Sequence, residues 1–209
     1  SCMRLGLVGR GPQAERYASL KNGGQNVFAR VAGHVSASEY RTFLDAVDAV
    51  IIATHPAGHR DLAMTALEAE KPVLIEKPLA LTWEHCSELI ETAARLQVPL
   101  EVAHTRLWSR QWCPLSGEAF AVIEHTKHAR SYSVWLDWAP HAIAALAHAM
   151  PDARPEKLRA AVSIGEGPRN SFTVWGDGWY YAPLGDETVP PMLLMVADFI
   201  EKLHLGLHE

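Results

Sequence analysis

The stretch DAVIIATHPAGHRDLAMTALEAEKPVLIEKP, Asp48 to Pro78, decides the fold. It holds two short apolar runs, Ala49 to Ala53 and Pro72 to Ile75, separated by a helix-period segment from His59 to Ala69. Strand, helix, strand in this order is a crossover between parallel strands, and such crossovers are right-handed in nearly every case. The polar residues after each strand then emerge on one edge of the sheet, the carboxyl edge, where open α/β sheets bind ligands. Lys77, in the tripeptide Glu76-Lys77-Pro78, and the turn at His55-Pro56 therefore face one crevice.

Working outward, Met3 to Val8 is a short apolar strand that runs into Gly9-Arg10-Gly11-Pro12-Gln13-Ala14, a G-x-G-x-x-A pattern, and then into a helix-compatible run through Leu20. Strand, glycine turn and helix together are the context a dinucleotide turn requires. Gly9 would allow the tight turn, Gly11 the approach of a pyrophosphate, and Ala14 the close packing of helix on strand. The competing reading is a strand-to-helix turn that binds nothing. Asn26 to Ala32 is the expected second strand. Its end normally offers an acid to the adenosine ribose, but this chain reads Gly33-His34-Val35-Ser36-Ala37-Ser38. NADP is then permitted beside NAD, with Arg30 or Arg41 as partners of a 2′-phosphate, or dinucleotide binding has decayed. Ser36 or Ser38 can cap a helix to about Asp45. Thr82 can cap another to about Gln97, with Trp83, Cys86, Leu89, Ile90, Ala93 and Leu96 at helical spacing. Leu100 to Ala103 is a fifth strand.

After His104 the alternation stops. Ala119 to Thr126, Leu158 to Ile164, Ser171 to Trp175 and Trp179 to Ala182 have strand character, Asp137 to Met150 reads as a helix, and Val189 to Leu205 as a final helix that starts at Pro190-Pro191. The expected fold is α/β: a Rossmann-like doubly wound parallel sheet over residues 3–104, followed by a small α+β unit with about four strands over 105–209.

The bulk properties narrow the function. With 209 residues the chain can bury a core without metal or disulfide help, and 48% hydrophobic with 21% charged residues is ordinary for a globular protein. A net charge of −5 without a Lys/Arg cluster argues against nucleic acid. Cys2, Cys86 and Cys113 have no metal spacing and cannot all pair, so a reduced, cytoplasmic setting is expected. No apolar run reaches membrane-spanning length. Ser1-Cys2, ahead of Met3, stay outside the fold reading. His125 and His128 make no convincing set with nearby ligands, and no metal is expected. Trp175, Trp179, Tyr180 and Tyr181 read as core or as a face that another subunit covers, which predicts a homodimer through the C-terminal sheet.

The glycine turn, the segment VDAVIIATHPAGH, the EKP tripeptide followed by LALT, and the later D-x-x-x-H at Asp137 and His141 resemble the Gfo/Idh/MocA family of NAD(P)-dependent dehydrogenases and reductases. The resemblance is specific from Met3 to about Arg106 and local thereafter. It implies an oxidoreductase that transfers a hydride between NAD or NADP and a hydroxyl/carbonyl pair of a sugar, cyclitol or related small molecule. The cofactor residues it implies are Gly9, Gly11, Pro12, Gln13, Ala14, Thr54, His55, His59, Glu76, Lys77 and Pro78. Lys77 would lie between nicotinamide and substrate and stabilise charge on the reacting oxygen. Pro78 would fix the loop through a cis bond. His141 would move the hydroxyl proton, Asp137 would orient it or bind substrate, and Arg106 would bind substrate. Two plainer roles compete: His141 as a core histidine and Asp137 as a helix-start residue. Three departures, Ala144 where the family has an acid, the absent ribose acid and the short second domain, support an alternative: a non-catalytic or vestigial dinucleotide-binding sensor or assembly protein.

Overall fold

The structure is a computed structural model, and it describes residues 3–20, 27–108, 124–125, 140, 143–144, 147, 172–176, 179–181 and 191–206. The chain divides into two units, residues 1–103 with 192–209, and residues 104–191.

The first unit is built on five parallel strands, β1 (Leu5–Val8), β2 (Val27–Val31), β3 (Ala49–Ile52), β4 (Val73–Glu76) and β5 (Leu100–Ala103), in the order β2-β1-β3-β4-β5. Every residue of β1, β3 and β4 is buried. This is the reason the three read as apolar runs up to Glu76 at the end of β4: helices cover both faces of a parallel sheet, so no position alternates toward water. Each large apolar side chain fully removed from water there contributes roughly 1.5–3 kcal/mol. Val8 pairs with both Val31 and Ile52, and Ile52 with Ile75, which brings the strand ends level along one edge. The strand order reverses between β1 and β3, the place where such sheets open a crevice.

Helices α1 (Pro12–Ala18), α2 (Ala37–Asp45), α3 (His59–Glu68) and α4 (Trp83–Leu96) connect the strands. Ser36 caps α2 through a reciprocal capping box with Glu39, and Thr82 caps α4 by accepting from the His85 N–H. On α4 the buried stripe is Leu89, Thr92 and Ala93, while Trp83 and Ile90 are 76% and 53% exposed. The expectation that both lie on the apolar face is corrected. Ile90 is one residue, about 100° of helical rotation, past Leu89, and Trp83 stands in the first turn.

Helix α5 (Pro191–Leu205) groups with this first unit. Met192, Met195, Val196, Phe199 and Ile200 are buried, and Lys202 donates to Glu101 of β5 at 3.2 Å. The sequence reading placed this helix in the second domain. Its apolar stripe shows that it packs, but not on what.

In the second unit a 3-10 turn, Thr105–Trp108, follows β5, and β6 (Glu124–His125), β7 (Phe172–Gly176) and β8 (Trp179–Tyr181) form an antiparallel sheet in that order. Pro140, Ile143, Ala144 and Ala147 are helical. The strand expected over 158–164 lies outside the described residues. No described helix is long and apolar enough to cross a membrane.

Candidate functional site

The carboxyl edge of the first unit gathers the turns after β1, β3 and β4. Gly9 sits at φ +130°, a conformation open to glycine, and a Cβ there would stand 2.3 Å from the Ala53 carbonyl oxygen. The ladder runs directly into this turn: the Gly9 N–H donates to the Val31 carbonyl, and the Ala53 N–H to the Val8 carbonyl, both at 2.8 Å. Ala14 is fully buried 3.3 Å from the same Cβ position, which is the close helix–strand approach expected of it. A Cβ on Gly11 would meet nothing within 4 Å. Gly11 is the N-cap of α1 and Pro12 its first residue, so the turn presents open space and backbone N–H groups where a phosphate could approach.

Three side chains tie the turns together. Arg30, on β2, donates through Nε to the Gly9 carbonyl and through a terminal nitrogen to Glu15, each at 2.8 Å. Its guanidinium holds the Glu15 carboxyl below the usual carboxylate value. The suggested 2′-phosphate partner is thus engaged at the glycine turn. Glu76, at the end of β4, is buried, and its Oε1 accepts from Gln13 Nε2 at 2.6 Å and from the Tyr17 hydroxyl at 2.7 Å. Burial pushes the Glu76 carboxyl up, against the pull of the Tyr17 and Gln13 hydrogen bonds and of Lys77. Burial, then the Glu76 charge, pushes the Tyr17 phenol up as well. His59 is 0% exposed, with Nδ1 at 2.8 Å from the Pro78 carbonyl and Nε2 at 3.3 Å from the Thr54 carbonyl. A neutral imidazole donates one hydrogen bond, which the shorter distance assigns to Pro78. Burial lowers the His59 pKa, and the two carbonyls oppose that shift.

The remaining residues of the edge fall around these clasps. His55 is exposed and its Nδ1 accepts from the Ala57 N–H at 3.2 Å, capping the turn Pro56–Gly58. Lys77 is half-buried at the mouth of β4, and the Lys77-Pro78 bond is cis. At the end of β2 a Cβ on Gly33 would lie 2.4 Å from Thr54 Cγ2. No side chain, acidic or otherwise, fits there while Thr54 keeps its place.

Residues 6–104 match the family described as "Oxidoreductase family, NAD-binding Rossmann fold". Over these residues the chain is similar to the Gfo/Idh/MocA oxidoreductase family. Inositol 2-dehydrogenase 2 of Saccharopolyspora erythraea is 44% identical over 54 residues, which are 26% of this chain and 16% of that relative. Two solved structures share the fold. UDP-N-acetylglucosamine 3-dehydrogenase GnnA from Acidithiobacillus ferrooxidans superposes with a TM-score of 0.73 at 17% identity, over 97% of this chain and 89% of that one. Biliverdin reductase from Synechocystis sp. PCC 6803, in complex with biliverdin and NADP+, superposes with a TM-score of 0.66 at 17% identity, over 99% and 92%.

Within residues 6–104, the structure brings Gly9, Gly11, Pro12, Gln13, Ala14, Thr54, His55, His59, Glu76, Lys77 and Pro78 to one edge. Gln13 and Glu76 spend their side chains on each other there. Tyr17 was not among the expected residues. Its signal is a phenol four residues after Gln13, on the same face of α1 as a helix must place it. Arg106 lies in the 3-10 turn after β5, and Asp137 and His141 lie outside the described residues.

Proposed function

We propose that the chain is an NAD(P)-dependent dehydrogenase or reductase acting on a hydroxyl/carbonyl pair of a sugar, cyclitol or related small metabolite. The observation that carries this is the pairing of an open glycine turn with Lys77 at the end of β4 on the carboxyl edge of a Gfo/Idh/MocA domain. Gly9 and Pro12 would shape the turn, backbone N–H groups at the start of α1 would hold the pyrophosphate, and Thr54 and Pro78 would contact the cofactor. When bound, the cofactor supplies hydride transfer at nicotinamide C4. Lys77 holds the reacting substrate oxygen and offsets the negative charge that grows on it. His141 moves the hydroxyl proton, with Asp137 as its orienting partner and Arg106 as a substrate contact. The name of one relative, inositol 2-dehydrogenase 2, supports a polyol substrate.

One experiment tests the reading in two steps. Nicotinamide fluorescence should register binding of NADH or NADPH, and Lys77→Ala should lower turnover of a polyol panel by roughly 100-fold or more while leaving that binding within about twofold. Equal turnover in the variant removes the role of Lys77. The mass of the same sample in solution, expected to be that of a homodimer through the C-terminal sheet, tests the quaternary part of the proposal. A second reading, a cofactor-binding protein without catalysis, is favoured by the absence of room for a ribose acid at Gly33. Cofactor binding without turnover of any polyol would select it.

A further inference from the structure

Glu76 stands beside the residue assigned to chemistry, yet its own carboxylate faces the other way, into α1. It is 7% exposed, and one oxygen takes hydrogen bonds from two side chains one helical turn apart, Gln13 at 2.6 Å and Tyr17 at 2.7 Å. Tyr17 is 1% exposed. A buried carboxylate is costly to leave unpaired, and here both of its donors come from the helix that begins at the glycine turn. The next residue, just past the end of β4, is Lys77. Displacement of α1 along or away from the sheet would therefore strip the carboxylate of its donors, and a shift at the end of β4 would do the same from the other side.

We propose that the Gln13–Glu76–Tyr17 cluster is a positioning device that sets the glycine turn and the Lys77 end of β4 as one mechanical unit. Glu76 is then a positioning residue rather than a cofactor contact. This rests on the dehydrogenase reading for its purpose, since only a bound dinucleotide needs both ends aligned. The coupling itself is a property of the cofactor-free chain.

The test is amide hydrogen exchange on the full chain without cofactor. Tyr17→Phe removes one donor and should speed exchange roughly tenfold, the worth of one buried hydrogen bond, in two segments together: Ala14 to Ala18 and Ile75 to Leu79. Tyr40→Phe is the control. It deletes another buried hydroxyl, which donates to the Leu62 carbonyl at 3.1 Å away from this cluster, and should leave both segments unchanged. Glu76→Leu should loosen both segments. Glu76→Gln, which keeps the length and can still accept from Tyr17 while donating to a flipped Gln13, should restore most of the protection. NADH and NADPH titrated into the same proteins should bind about tenfold more weakly to Tyr17→Phe than to the wild type. Exchange that rises in α1 alone, or in neither segment, or equally in Tyr40→Phe, overturns the coupling. A wild type that binds neither cofactor defeats the dehydrogenase reading instead, and the exchange result still decides the coupling.

Discussion

Gly9 after β1 and Gly33 after β2 both abut the residues that follow β3, and what each meets there differs in kind. A Cβ on Gly9 would press on the backbone carbonyl of Ala53 at 2.3 Å, whereas one on Gly33 would press on the methyl group of Thr54 at 2.4 Å. Backbone tied to the neighbouring strand, as Ala53 is to Val8, cannot step aside, but a side chain can be exchanged. The phosphate end of the site is thus a consequence of the fold, and the ribose end a consequence of which residue occupies position 54. The first is retained in this chain. The second is the place where it leaves the usual dinucleotide pattern.

The largest effect should come from Gly9→Ala, which combines a positive φ with a backbone clash and should cost roughly 3 kcal/mol or more, read as a fall in the urea midpoint. Gly11→Ala, two residues on and facing open space, should stay within about 0.5 kcal/mol of the wild type while weakening NAD(H) binding. Equal stabilities for the two variants would erase the distinction between a fold-required and a ligand-facing glycine. Next is Gly33→Ala, expected to cost about 1–3 kcal/mol. Thr54→Ala in the same chain should recover most of that cost, since it removes Cγ2 and leaves only Cβ, at 3.1 Å. A double-mutant cycle measures the coupling, and additive effects would show that the obstacle is not Thr54.

The smallest effect concerns pH. Because burial lowers the His59 pKa from its ordinary 6.5, the unfolded chain takes up a proton at this residue before the folded one does. Its stabilising contribution is complete above 6.5 and is lost as the pH falls through the lowered, folded value. Relative to the wild type, His59→Gln should show a flatter fall of thermal midpoint on acidification below 6.5. Parallel profiles would mean that the imidazole is not the group titrating.

The sequence made β1, β3 and β4 legible because strands buried on both faces are mostly apolar, and the caps at Ser36 and Thr82 legible because capping is a local reaction between a hydroxyl and an N–H three residues on. Lys77 and the glycine turn were legible through their spacing. The Tyr17–Glu76 bond was not, since it joins residues 59 apart and nothing in either neighbourhood names the other. Nor was the obstacle at Gly33, where the absent acid was visible but the methyl group that excludes it belongs to a different strand end. Arg30 looked available for a phosphate by charge alone, and the structure instead commits it to the Gly9 carbonyl and Glu15.

The return of α5 to the first unit has a consequence for how the protein is made. Synthesis runs from the N-terminus, so Phe199 and Ile200, 0% and 3% exposed in the finished unit, leave the ribosome only after the whole of 104–191. Until then the nascent Rossmann-like unit carries an uncovered apolar seat, and a chain stalled or cut anywhere in the intervening segment would present that surface to chaperones and proteases.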